Sequence, residues 1–339
     1  VTAASAIVVN HNGTGFVEDA VASLLSQDLP GLEVVVVDNA SSDGSAEALE
    51  RRFAGRIRLI RSDRNLGFGG GNNLAIRSSA GRHVLLLNSD AEAAPGFARE
   101  LVAAAEADPR VGMVAAKVLE HGRRGVIDSV GHMLYPDGLN RGRGRLEADQ
   151  GQFDACRTAL FPSGAAALYR REMLDDVGLF DESFFLYGDD AELGLRGRLA
   201  GWGCALAPRA VAFHHYSRSV GAYSALKAFH VERNRVWVLV KLFPLRLVLL
   251  SPCYTALRLA LQAWGGLTGR GAAGRFAREA SLLGLVFVGL RACLAAFAGL
   301  PRVLRERGAF RRKRRITTRA FLALLREFRL GARELALKE

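Results

Sequence analysis

None of the four cysteines in this 339-residue chain lies in a C-x-x-C pair. Cys156, Cys204, Cys253 and Cys293 show no zinc-ligand spacing, and they read as reduced thiols in a cytosolic setting. A complete dinucleotide fingerprint is missing as well. Gly67-x-Gly69-x-x-Asn72 lacks the third glycine of G-x-G-x-x-G and follows the third predicted strand, not the first. G-x-x-x-x-G-K-[ST] does not occur. Both absences argue against NAD chemistry and against P-loop phosphate chemistry. The N-terminal VTAASAIVVNHNG has no basic n-region and enters a strand at once, so no secretory signal is expected. Long charge-free apolar runs are scarce. Leu247 to Leu257 spans only 11 residues, too short to cross a bilayer uninterrupted.

What is present is a large apolar fraction and an uneven charge. Half the residues are hydrophobic, enough for a full core and one large domain or a domain with an appendage. Of the net charge of +12, Pro301 to Glu339 carries +9. A basic tail beside an apolar region suits an anionic membrane surface or nucleic acid, although a solvated helical face would look the same.

Along the chain, apolar runs at Ala6–Asn10, Leu32–Val37, Ile57–Ile60 and Val84–Leu87 read as strands, separated by helical spacing at Phe16–Gln27 and Ser45–Phe53. Leu66–Asn73 reads as a Gly-rich turn before a helix to Ser79. Four strands alternating with helices describe a doubly wound, Rossmann-like half, an α/β class with a mostly parallel sheet. Further on, a helix at Gly96–Ala107, strands at Val111–Val118 and Phe161–Tyr169, and a short helix at Glu172–Val177 are expected. Glu120–Arg157 is Gly- and Arg-rich and reads as a hairpin or lid. Trp202–Leu206 and Ala210–His215 read as the last two strands.

Chemistry-bearing residues fall at strand ends. In HVLLLNSD a buried run stops at Asn88-Ser89-Asp90. A carboxylate delivered there by a rigid strand is placed to hold a hard divalent cation; a plain Asx turn gives the same string. Asn10, and Asp38 with Asn39, follow the first two strands, so one crevice can collect all these polar ends. Gly69 and Gly70 serve either a tight turn or close approach of backbone to a nucleotide. Asp189, Asp190 and Glu192 cluster behind the aromatic block Phe184–Tyr187 at a predicted helix start. The helix dipole accounts for one or two acids there, and a general base accounts for a third. His214 and His215 end an apolar run, as strand-end metal ligands or as structural histidines.

Taken in order, VVNHN, VDNASSDGS, NLGFGGGNN, LLLNSD, FLYGDDAELGLR and FHH resemble glycosyltransferase family 2, with the nearest likeness to bacterial rhamnosyltransferase-like members. The resemblance covers about residues 5 to 220 and more loosely to about 245. It implies a GT-A fold, an inverting mechanism, a nucleotide-diphosphate sugar donor, and Mg²⁺ or Mn²⁺ at a D-x-D-like motif with Asp90 as main ligand. Asn88 stands where that motif has its first Asp. The resemblance assigns Asp190 as catalytic base with Asp189 beside it, and His214 near the metal with His215 as the other candidate. Nucleotide-sugar contacts fall on Asn10, Asp38, Asn39, Gly69, Gly70, Asn73, Asn88 and Ser89, and Glu192 and Trp202 lie on the acceptor side. Rhamnose is the sugar suggested by likeness. The acceptor is expected to be a lipid-linked saccharide in cell-surface polysaccharide synthesis.

Residues 1–225 are thus expected to form the catalytic domain and 226–339 a helical, apolar and basic membrane-associating region. Lys227–Trp264 is helical in pattern, with breaks expected at Pro244 and Pro252. Ala280–Leu300 carries one charge, Arg291. A central Arg costs about 2.5–3.5 kcal/mol, and ten Leu, Val or Phe return roughly 3–6 kcal/mol, so insertion is near balance. An in-plane or re-entrant helix pair is favoured over a soluble helical subdomain. The Phe310–Arg315 block (FRRKRR) would hold it on an anionic leaflet, on the cytoplasmic face of the bacterial inner membrane. Nucleic-acid binding is disfavoured, because the basic stretch lacks interleaved aromatics and any known module. A catalytically inactive sugar-nucleotide-binding scaffold is the alternative to an enzyme.

Overall fold

The computed structural model describes residues 4–215, 224–268 and 282–338. They divide into two compact units, one of 1–132 with 142–219, the other of 133–141 with 220–339.

The first unit is built on a nine-stranded mixed sheet. Its strands are β1 (Ala4–Asn10), β2 (Leu32–Asp38), β3 (Arg58–Arg61), β4 (His83–Leu87), β5 (Ala91–Ala93), β6 (Val111–Glu120), β7 (Arg123–Ser129), β10 (Ala166–Arg170) and β11 (Gly203–His214); β8 (His132–Leu134) and β9 (Asn140–Gly142) form a separate pair. The order is β3-β2-β1-β4-β10-β6-β11-β5, with β7 on β6. β3, β2, β1 and β4 run parallel, the Rossmann-like half that the alternation of strands and helices implies. β10 then enters antiparallel between β4 and β6.

Alternation explains why the central strands lack polar residues. Ala6, Val8, Val34, Val36, Leu85 and Leu87 pack into one core. Ile7, Val35, Val37, Val84 and Leu86 pack into another on the opposite face. A strand buried on both faces has no use for a polar side chain until it ends.

The helices are α1 (Val17–Leu25), α2 (Ser45–Phe53), α3 (Gly67–Arg77), α4 (Phe97–Glu106), α5 (Arg171–Val177) and α6 (Asp189–Leu199). Two expectations need correction. The Gly-rich stretch is not a turn before a helix but the first turns of α3 itself. A Cβ on Gly71 would lie 2.6 Å from Val9 Cγ1, so glycine lets α3 lie against β1. The two last strands are one, β11, which shifts register between Ala207 and Val211, around Pro208. Proline donates no ladder hydrogen bond, which makes one strand read as two. The hairpin expected within Glu120–Arg157 is present, since β7 folds back antiparallel on β6.

The second unit contains α7 (Ala225–Leu242), α8 (Leu245–Thr268), α9 (Leu282–Phe310), α10 (Thr318–Glu327) and α11 (Ala332–Leu337). Pro244 separates α7 from α8, but Pro252 and Pro301 lie inside continuous helices. A buried charge cluster ties the segment 133–141 to α7 and α8. Arg258 donates to Asp137 Oδ2 (2.8 Å) and to Glu232 (2.8 and 3.0 Å), and Arg235 donates to Glu232 (2.6 Å). Trp237 Nε1 donates to Ala296 O (3.1 Å), pinning α7 to α9. Much of the rest of α8 and α9 faces outward, with Leu249 71%, Leu267 85%, Leu294 70% and Phe297 67% exposed. Exposed apolar side chains in such numbers mark a surface meant for something other than water.

Candidate active site

β1 and β2 end in register, with Asn10 opposite Asp38. Both are buried. Asn10 Nδ2 lies within reach of Asp38 Oδ1 (3.1 Å), Ser41 Oγ (3.1 Å) and Ser45 Oγ (2.8 Å), and Ser41 N donates to Asp38 Oδ2 (3.2 Å). The two residues therefore fix the turn that leads into α2. Asn39 receives Leu66 N on its Oδ1 (2.9 Å) and donates to Gly67 O (3.1 Å), holding the loop before α3. Asn73 donates to Phe180 O (2.9 Å) and Glu182 Oε1 (2.9 Å) and accepts from Phe180 N (3.0 Å). Asn39 and Asn73 thus spend their amides on loop positions. Gly69 and Gly70 lie buried inside α3; a Cβ on Gly69 would come 3.1 Å from Phe180 Cβ, and one on Gly70 2.8 Å from Leu66 Cβ.

β4 delivers Asn88, Ser89 and Asp90 in a tight turn closed by Ala91 N donating to Asn88 O (3.1 Å). Asn88 and Ser89 are half-buried, and Asp90 is 8% exposed. At the end of β11, alternation sends two successive histidines to different places. His214 Nε2 lies 3.3 Å from Asp90 Oδ1 and 3.5 Å from Asn88 Nδ2. His215 instead stacks on His121 (3.7 Å between centroids) and meets the edge of Phe16. The imidazole facing Asp90 is therefore that of His214.

Sequence reading missed one partner. Asp128, on β7, is buried, and its Oδ2 lies 2.9 Å from His214 Nδ1, while Oδ1 accepts from Arg145. The available signal was an apolar strand ending in an acid, VIDS, inside the stretch read as a hairpin or lid. Burial works against charge on His214, but the Asp128 and Asp90 carboxylates outweigh it and push its pKa up to about 10. Burial likewise opposes charge on Asp128, and His214 and Arg145 overcome it, lowering its pKa.

These residues suit a divalent cation. With Nδ1 committed to Asp128, Nε2 is the ring nitrogen left to face a metal, in a carboxylate–histidine–metal arrangement. Cis donors about 2.1 Å from an octahedral ion stand about 3 Å apart, near the Asp90–His214 separation observed.

The second cluster stands at the start of α6. Asp189, Asp190 and Glu192 occupy its first turn, with Arg196 and Arg198 in its last, in accord with the dipole. The three acids are in different surroundings. Glu192 is wholly buried and paired with Arg196 (2.7 Å), which donates on to Val177 O and Leu179 O; it offers no surface to an acceptor. Trp202 is likewise committed, donating to Asp176 Oδ2 (2.8 Å). Asp189 is buried, and burial, then the charge of Asp190, hold its carboxyl well above the usual carboxylate range. Asp190 is half-exposed, with Oδ2 accepting from Gly164 N (3.1 Å) and Oδ1 from Ala191 N (2.7 Å).

The loop carrying Gly164 joins the two clusters. The next residue, Ala165, accepts from Asn88 N (2.9 Å), so one short segment touches both the Asp190 carboxylate and the Asn88–Asp90 turn. Ahead of Asp189 the backbone is strained. Phe185 (φ 66°, ψ −60°) sits in a γ-turn closed by Leu186 N donating to Phe184 O (2.8 Å), and Tyr187 also has positive φ (64°). Such strain collects where side chains are held for a task.

Residues 5–178, just over half the chain, match the family model described as glycosyl transferase family 2. The N-acetylglucosaminyl-diphospho-decaprenol L-rhamnosyltransferase of Mycobacterium tuberculosis is 29% identical over 63% of this chain and 76% of its own length. The O-antigen biosynthesis protein RfbC of Myxococcus xanthus is 30% identical over 58% of this chain but only 16% of its own. Among solved structures, mannosyltransferase PcManGT from Pyrobaculum calidifontis, in complex with GDP-Man and Mn²⁺, superposes with a TM-score of 0.54 at 20% identity, covering 87% of this chain and 86% of its own. That likeness fixes the fold as GT-A.

Proposed function

The chain belongs to glycosyl transferase family 2, and from that premise we propose that it transfers a hexose, rhamnose by likeness, from a nucleoside-diphosphate sugar to a hydroxyl of a lipid-linked glycan, with inversion, in cell-surface polysaccharide synthesis. The observation that carries the reading is the half-exposed Asp190 carboxylate, tied through Gly164 and Ala165 to the turn bearing Asp90.

In this reading Asp190 is the general base. Two backbone N–H groups aim its carboxylate, and it takes the proton of the acceptor hydroxyl as that oxygen attacks the anomeric carbon. The nucleoside diphosphate leaves from the opposite face, so the centre inverts and no second carboxylate nucleophile is needed. Asp90 and His214 would hold Mg²⁺ or Mn²⁺, which would supply Lewis-acid neutralisation of the departing diphosphate. Asp128 fixes the His214 ring so that Nε2 faces that position. Asp38 and Asn10 are assigned to the nucleoside, at the ends of the parallel strands where such ligands bind.

The acceptor reading rests on the relative named for transfer to a diphospho-decaprenol-linked sugar. Two helices, Leu245–Thr268 and Val286–Phe310, are long and apolar enough to cross a membrane and little buried, which supports membrane association; the cytoplasmic face is part of the proposal. The test is a thermal-shift panel of UDP, dTDP, GDP and NAD, each with and without Mn²⁺, on the wild type and Asp90→Ala. The expected result is a Mn²⁺-dependent shift with one nucleoside diphosphate, lost in the variant. No shift with any diphosphate, in folded protein, overturns the reading.

A further inference from the structure

We propose that the second unit holds a pocket for the phosphate headgroup of an anionic phospholipid. A cavity of about 220 Å³ opens among the segment 134–136, the start of α8, and α10. Tyr135, Leu322 and Leu325 contribute apolar surface, and Arg246, Arg326 and Arg329 bring three guanidinium groups to the same cavity.

The charge is the informative part. All three arginines are exposed, and among the described residues none makes an ion pair or a side-chain hydrogen bond. Among the described residues no acid lines the cavity. Elsewhere in this unit the buried arginines are matched by acids, as Arg258 is by Asp137 and Glu232. Three like charges gathered on one cavity repel one another until an anion joins them, and guanidinium forks match phosphate oxygens.

The apolar lining selects among phosphates. A free phosphate keeps its hydration and gains nothing from Leu322 or Leu325, whereas a lipid phosphate brings hydrocarbon with it. Arg246 lies in the first turn of the helix that also displays Leu245 (64% exposed), Leu249 (71%) and Leu250 (49%). Leu245 and Leu249 stand one turn apart on one face. The element that would meet lipid chains therefore also supplies a cation to the headgroup. This pocket deepens the membrane reading above and rests on it.

The experiment uses the full chain. Dihexanoylphosphatidylglycerol should raise the melting temperature of the wild type. Arg246→Gln/Arg326→Gln/Arg329→Gln should lose that response at least tenfold in affinity, while Arg311→Gln/Arg312→Gln/Arg315→Gln, which removes equal charge, should keep it. Equal loss in both variants means diffuse electrostatics and overturns the pocket. An equal shift from inorganic phosphate overturns the lipid assignment. Should the triple variant melt abnormally without ligand, Arg326→Glu alone on exposed α10 replaces it, with the same expectation. Flotation with vesicles of phosphatidylglycerol and phosphatidylcholine separates the two levels. A wild type that floats with no vesicle overturns the membrane reading and the pocket together. A wild type that floats, with a pocket variant unchanged in flotation and in lipid response, overturns the pocket alone.

Discussion

Two adjacent carboxylates with different surroundings give the sharpest test at the residue scale. Asp190 is half-exposed and aimed by backbone N–H groups; Asp189 is buried. Asp190→Asn should lower turnover by about 10²–10⁴ with the nucleotide thermal shift intact. Asp189→Asn should keep most turnover, and equal losses would sink the assignment to Asp190. The pair also sets a pH effect. Because burial and then Asp190 raise the Asp189 pKa above its ordinary 3.8, the folded state holds that proton more tightly than the unfolded chain does. Stability from this group is fully present below 3.8 and is lost as pH rises through the folded value. Asp189→Asn should therefore show a smaller fall in melting temperature on the alkaline side than the wild type. At the other cluster, Asp128→Ala removes the acceptor that fixes His214. The Mn²⁺ concentration needed for the nucleoside-diphosphate shift should rise about 10- to 100-fold. His215→Ala, whose ring stacks on His121, should leave it unchanged.

At the scale of elements, the start of α3 and the strained loop before α6 depend on each other. Phe68 N donates to Phe185 O (2.7 Å), and a Cβ on Gly67 (φ +73°) would stand 2.3 Å from that same oxygen. Gly67→Ala should cost about 1–3 kcal/mol in urea unfolding, from its positive φ and the displaced loop, and should lower turnover as well. Unchanged activity in a destabilised variant would mean that this loop does not position Asp190. The same pair of elements shows what was legible in the sequence. β1, β2 and β4 were, because burial on both faces leaves Val, Ile and Leu runs, whereas β3 (RLIR) is a partly exposed edge strand. So were the positions of Asp90, Asp190 and the histidine pair at the ends of elements, because each follows an apolar or aromatic block. The glycines were read backwards: a run of them looks like a turn, and only the neighbours packed around α3 (Phe185 at Gly67, Phe180 at Gly69, Leu66 at Gly70, Val9 at Gly71) explain a helix made of them. Asp128 was obscured because its meaning lies in a contact 86 positions away along the chain. Glu192 was over-read, since an acid at a helix start looks the same whether it faces a cleft or a buried Arg196.

For the whole molecule, the proposed membrane docking draws on two features that differ in how they respond to salt. The block Arg311-Arg312-Lys313-Arg314-Arg315 follows directly on α9, and each cation near an anionic surface contributes roughly 1 kcal/mol. That attraction is screened as the Debye length falls from about 10 Å at 0.1 M to about 3 Å at 1 M salt. The apolar faces of α8 and α9 respond differently, since burial of Leu249, Leu267, Leu294 and Phe297 is not screened. The 24 residues of α8 reach about 36 Å, more than a bilayer core of about 30 Å. Yet Arg258, at mid-helix, is 1% exposed and turned to Asp137 and Glu232, so one side of α8 is committed to protein. A helix with one protein face and one lipid face suits in-plane or re-entrant docking better than a lone span. Binding to anionic vesicles should therefore fall with NaCl to a plateau above zero. Neutralising all five basic residues should shrink the salt-dependent part to what Arg246, Arg326 and Arg329 supply and leave the plateau. Complete release at 1 M NaCl would mean that α8 and α9 meet a protein partner rather than lipid, and the exposed leucines would then have to be reassigned to that interface.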